Sequence, residues 1–164
     1  MNDEILKMLY FAFVFPHLLY GIEIYGNTYQ SHLSKLVKLN NKILRILQNA
    51  PLKSHTLSLY KNYNTLPLPL LHDFQILLFV HKFLYHGNKM PSIFASYFTQ
   101  NTSVHHYNTR EKYSLHLDNP HTDFGKRLIK FKGSRLWNNL PDSVKTLNSI
   151  PAFKNSLKNY LLIA

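Results

Sequence analysis

Ten histidines, eight carboxylates and nineteen Lys or Arg are the side chains in this 164-residue chain that could do chemistry; cysteine is absent. Without cysteine there is no disulfide, thiolate zinc site, iron–sulfur cluster or thiol nucleophile. Phosphoryl or nucleotidyl transfer needs neighbouring carboxylates to hold magnesium, and no two aspartates lie within three residues of each other. Five scattered glycines, no two closer than five residues, make no phosphate-cradling loop. His105, His106, His116 and His121 gather in one stretch, but not at the i, i+4 spacing that places two imidazoles on one helix face. His17, His72, His81 and His86 fall in helical segments, as core-edge or surface residues. Ser, His and Asp are present without a Gly-x-Ser-x-Gly elbow. The chain is expected to have no catalysis, metal or cofactor of its own.

The cations are the other matter. The formal net charge is +11, against 45% hydrophobic and 14% aromatic residues, a packable composition with a preference for polyanions, nucleic acid first and anionic membrane second. Base composition alone could supply part of that charge, since Asn, Lys, Tyr, Ile and Phe all have A/T-rich codons. Lys35, Lys38, Lys42 and Arg45 follow i, i+3, i+7, i+10 and so form one helix stripe. Lys126, Arg127, Lys130, Lys132 and Arg135 put five cations within ten residues, interleaved with Leu128, Ile129 and Phe131. The last 64 residues carry +6 of the charge. Contacts from either set would neutralise phosphates without reading sequence. A plain solvated face would look the same.

The elements that must position these cations are mostly helices. Met8–Tyr20 is apolar on nearly every side, as a buried helix kinked at Pro16, with Gly21 and Gly26 bracketing its end. A second helix, capped by Thr28 or Ser31 and closed by Pro51, buries Leu33, Leu36, Val37, Ile43, Leu44 and Leu47. A short helix over 56–63, an extended Leu66–Pro69 connector and a central core helix from Pro69 to about His86 follow, then another short helix from Pro91. Alternation at Tyr113, Leu115 and Leu117, and again over 128–131, suggests a hairpin across Asp118-Asn119-Pro120. Two short helices close the chain, one entered through Pro141 and one capped by Ser149. The expected fold is therefore mainly α, an irregular helical bundle with at most a short β-hairpin in the last third. Its expected division is a helical region 1–98, a polar linker 99–112 and a small basic region 113–164. The apolar run Met8–Ile22, 15 residues long and interrupted by Pro16 and His17, is too short to span a bilayer. Asp3 and Glu4 suit no secretory leader.

Several segments resemble the region that follows the palm in reverse transcriptases of non-LTR retrotransposons of the jockey and CR1-like group. Tyr10–Gly26 (YFAFVFPHLLYGIEIYG) is similar to that family's Pro-His-Leu-x-Tyr-Gly segment. Leu33–Leu47 (LSKLVKLNNKILRIL) is similar to its basic helix, with Asn40 where glutamine is common. His105, Tyr107, Thr109 and Arg110 match a His-x-Tyr-x-Thr-Arg element, Trp137–Pro141 (WNNLP) a Trp-Asn-x-Leu-Pro element, and FKNSLKNYLL, from Phe153, the final helix. The five occur in the family's order.

The resemblance implies a late-thumb and C-terminal portion of an RNA-directed DNA polymerase, a truncated or partial product without fingers, palm, two-aspartate site or upstream endonuclease. Magnesium would belong to the parent polymerase. Its thumb helices lie along template–primer duplex, which gives the Lys35-to-Arg45 stripe a role and adds Arg110 to the candidate contacts. Expected partners are RNA or RNA–DNA duplex and the missing palm and fingers, with no membrane, in an intracellular setting, nuclear or cytoplasmic. The competing reading is a non-catalytic protein-interaction or structural helical module, or a decayed element copy. A thumb without its palm would leave apolar patches exposed.

Overall fold

The computed structural model describes residues 2–104 and 111–163. The helices are α1 (Asp3–Leu9), a π-helical turn (Tyr10–Val14), α2 (Phe15–Leu19), α3 (Ile22–Tyr25), α4 (Gln30–Leu47), α5 (Thr56–Asn62), α6 (Leu68–Tyr85), α7 (Asn101–Val104), α8 (Asp123–Arg127), α9 (Ile129–Asn138), α10 (Asp142–Lys145) and α11 (Ile150–Ile163), with 3₁₀ turns at Gly87–Lys89 and Ser92–Phe94. The fold is mainly α, as the periodicity predicts, and no strand forms among the described residues. Backbone contacts divide the chain within α6, residues up to His72 belonging to one unit and Asp73–Ile163 to the other. The division therefore falls before the polar 99–112 segment, whose described ends belong to the second unit.

In the first unit, Asn2 caps α1 by accepting from Glu4 N–H. The π turn carries the chain through Tyr10–Val14 and delivers Pro16 to the first turn of α2, where a missing N–H does no harm. Met8–Tyr20 is not buried all round, because Met8, Phe13 and Tyr20 stay 64–87% exposed while Tyr10 and Leu18 point inward. The core joins Tyr10 to Leu44 of α4 and to Leu59, Tyr60 and Tyr63 of α5 and its end. A hydrogen-bond chain crosses it: Tyr10 donates to Asn40 Oδ1 (3.1 Å), and Asn40 Nδ2 donates to the Tyr60 hydroxyl (3.0 Å), which in turn donates to Asn41 (2.7 Å). Burial pushes the Tyr60 phenol up to about 12.

Tyr29 precedes α4 with no side-chain cap, in place of Thr28 or Ser31. The helix stops before Pro51, because Asn49 adopts a left-handed φ of 47° and Ala50 N–H returns to Arg45 C=O (2.9 Å). Asn64 repeats the device after α5, with φ 51° and Thr65 N–H on Tyr60 C=O. Both are Schellman ends, for which asparagine is the usual substitute for glycine. Gly26 has no room for a Cβ, which would stand 2.6 Å from the His72 ring.

The second unit is built on α6, whose Ile76, Leu77, Leu78, Val80 and His81 are all buried. His81 stacks on Phe153 of α11 (4.1 Å, 19°) and lies beside Trp137 of α9. Gly133 lets α9 approach, since a Cβ there would come 3.1 Å from Val80 and 3.2 Å from Phe98. The expected hairpin does not form. Leu115 makes a single antiparallel bridge with Gln100, and the 128–131 alternation is the start of α9. Residues 91–98 hold one 3₁₀ turn in place of the expected helix. The Trp137–Pro141 stretch has a structural account residue by residue. Trp137 and Leu140 are buried, and Pro141 leads into α10. Asn138 accepts from Leu115 N–H (2.9 Å) and donates to Leu115 C=O (2.8 Å), while Asn139 is exposed.

Candidate nucleic-acid interface

In α4 the apolar period turns Leu33, Asn40 and Leu44 inward, so Lys35, Lys38 and Lys42 fall opposite and are exposed. They run about 10 Å along the helix. Among the described residues none of the three meets a carboxylate: the first unit's acids, Asp3, Glu4 and Glu23, stand in α1 and α3. Leu39 and Ile46, 58% and 65% exposed, border the stripe. Arg45 departs from it. The side chain is half-buried, and its guanidinium Nη2 donates to Ser54 C=O (3.2 Å), tying the loop after α4 to the helix.

The second cluster is largely neutralised by carboxylates. Lys130 meets Asp118 at 2.9 Å, Lys132 meets Asp73 at 2.6 Å and Lys126 meets Asp123 at 3.7 Å. The Asp118 carboxyl is held below its usual range chiefly by the hydrogen bond from Lys130. Arg127 Nε donates to Asp123 C=O, and Arg135, exposed, lies 5.9 Å from the Phe131 ring. The five cations that look dense in sequence are thus spread over α8 and α9, and three of them are bound to the second unit's acids. Arg110 lies outside the described residues, as do His105, Tyr107 and Thr109 of the same element.

Of the other histidines, His72 and His81 are fully buried and not at the core edge. His81 Nε2 donates to Leu147 C=O (2.7 Å), and desolvation lowers its pKa. His116 sits near Asp118 (3.8 Å), and no group of three or more metal-ligating side chains gathers among the described residues. Asp73, Asp118, Asp123 and Asp142 each face a lysine, Lys145 in the last case (3.5 Å).

Sequence reasoning passes over two cavities in the second unit. One, of about 320 Å³, is lined by Glu111, Tyr113, Asn138, Asp142 and Lys145. The other, of about 230 Å³, lies under residues 87–95. No residue pattern signals either one. No helix among the described residues is long and apolar enough to cross a membrane.

Fold and site together define a helical protein with an unneutralised lysine face on one long helix. No family model, curated protein or solved structure matches the chain.

Proposed function

We propose that this chain is the C-terminal, non-catalytic portion of a non-LTR retrotransposon RNA-directed DNA polymerase, and that it holds template–primer or RNA through the α4 face. The observation that carries the binding half is the trio Lys35, Lys38 and Lys42, exposed and without carboxylate partners among the described residues. Three exposed ammonium groups in a row complement phosphates and are of little use to a core. The five-motif resemblance supports the polymerase half. The chemistry and its magnesium belong to the parent's palm, and the setting is intracellular, nuclear or cytoplasmic. Purified protein should bind RNA–DNA duplex without sequence preference, with affinity falling steeply as salt rises. Affinity indifferent to salt, or none at low salt, overturns the reading.

One observation favours the second reading, a protein-interaction module. The first unit leaves Met8, Phe13, Tyr20 and Ile24 at 64–87% exposure, the kind of apolar surface that partners cover. Under that reading a protein partner binds with little salt dependence and the α4 lysines can be replaced without effect.

A further inference from the structure

We propose that two copies of this chain pair through their first units, the apolar stripe along α1 and α2 of one lying on the α4 ridge of the other. The stripe is Ile5, Met8, Leu9, Phe13 and Tyr20, all exposed. Ile5, Leu9 and Phe13 follow i, i+4, i+8 through α1 and the π turn, one above the next. From Ile5 to Tyr20 the stripe runs about 20 Å. Phe13 and Tyr20, at 68% and 87% exposure, alone leave roughly 300 Å² of their surface in water. The largest apolar patch of an ordinary monomer covers about 300–600 Å², and three aliphatic side chains of the stripe and Ile24 of α3 add to the two rings.

Charge selects the cover. Residues 2–26 hold three acids, Asp3, Glu4 and Glu23, against Lys7, whereas residues 27–72 hold six Lys or Arg and no acid. Glu4 lies one turn before Met8, and Glu23 lies beside Ile24, so carboxylates border the apolar face at both ends. Neither makes an ion pair among the described residues. In α4, Lys35, Leu39, Lys42 and Ile46 follow i, i+4, i+7, i+11 and are all exposed, so cations and apolar side chains alternate along one ridge. Each face supplies what the other lacks: apolar surface for apolar surface, ammonium for carboxylate. Because one unit carries both, two copies related by a two-fold axis satisfy both contacts at once and the assembly closes. The pairing covers the α4 lysines, so a chain in the dimer does not hold duplex through them. It goes beyond the nucleic-acid reading and does not rest on it.

Sedimentation equilibrium of the full chain tests this without nucleic acid, so failure here leaves the nucleic-acid reading standing. The native chain should form a reversible dimer that loosens as salt rises. Glu4→Lys with Glu23→Lys, and separately Lys35→Glu with Lys42→Glu, put like charges on the facing surfaces. Each pair of changes should weaken the dimer about tenfold or more. Mixing the two variants should restore the dimer, because the mixed pair sets opposite charges at both contacts and either variant alone sets like ones. Phe13→Gln with Tyr20→Gln should abolish pairing with melting temperature nearly unchanged, since both rings are exposed. A native chain that stays monomeric at millimolar concentration overturns the proposal and leaves the stripe to a different partner. Native association that is indifferent to salt overturns it too, and both results stand whatever the substitutions do to folding. Association that neither charge reversal weakens, or a mixture that stays monomeric, counts against it in the same way.

Discussion

The Asn138 amide satisfies both backbone groups of Leu115, a residue only 1% exposed, so its removal strands a donor and an acceptor inside the second unit. Asn138→Leu should cost about 1–3 kcal/mol in denaturant unfolding. Trp137→Ala one residue earlier should cost about 3–5 kcal/mol, because the ring is 5% exposed and packs on His81 and Phe153. His81 adds a pH dependence. The Leu147 carbonyl can only accept, so Nε2 carries the proton and Nδ1 is buried without a partner. Its pKa in the fold lies below the ordinary 6.5 because burial disfavours the imidazolium. The unfolded chain therefore binds the extra proton first, and stability falls as pH drops through 6.5 toward the folded value, while above 6.5 this contribution is complete. Melting temperature should decline over that window, and His81→Gln should flatten part of the slope. An unchanged slope in His81→Gln would show that other histidines set it.

At the scale of elements, α4 makes a prediction that separates binding from folding. Replacing Lys35, Lys38 and Lys42 by glutamine retains helix formers and removes exposed, unpaired ammonium groups. The log–log salt slope should fall by roughly 0.9 for each phosphate of a B-type duplex that is no longer neutralised, with melting temperature nearly unchanged. Arg45→Gln should behave in the opposite way, lowering stability because the Ser54 carbonyl loses its donor, with little effect on the slope. Helical period reveals α4 and α11, whose apolar spacing persists over three turns or more, whereas α6 is legible as a long apolar run between Pro69 and Gly87. It does not reveal that Arg45 turns to a loop nine residues on, because the pattern carries no tertiary partner. Asn40 sits at a core position in that same period, and only the opposing Tyr10 and Tyr60 hydroxyls explain a buried amide there. Residues 128–131 alternate as a strand would, yet four residues of alternation do not distinguish a strand from the first turn of a helix. Gly133, which looks like a helix breaker, serves the close approach of α9 to Val80 and Phe98. The basic cluster is legible as charge but not as ion pairs, since Asp73 lies 59 residues from Lys132.

At the scale of the whole chain, each unit has a packing cluster of its own. One centres on Tyr10, Leu44, Leu59, Tyr60 and Tyr63, and the other includes His81, Trp137, Phe153 and Leu157. The chain between them is α6, continuous through the division at His72 and Asp73. A continuous helix can couple unfolding of the two units without making their side chains share partners. Substitutions confined to separate packing clusters should therefore add, even if the whole chain melts in one transition. Tyr60→Phe removes the hydroxyl that Asn40 and Asn41 bond and should cost about 1–3 kcal/mol. Leu157→Ala empties a fully buried site on α11 and should cost about 2–5 kcal/mol. In denaturant titrations the double variant should be destabilised by the sum of the two to within about 0.5 kcal/mol. A discrepancy above about 1 kcal/mol would mean that the two sites are energetically coupled.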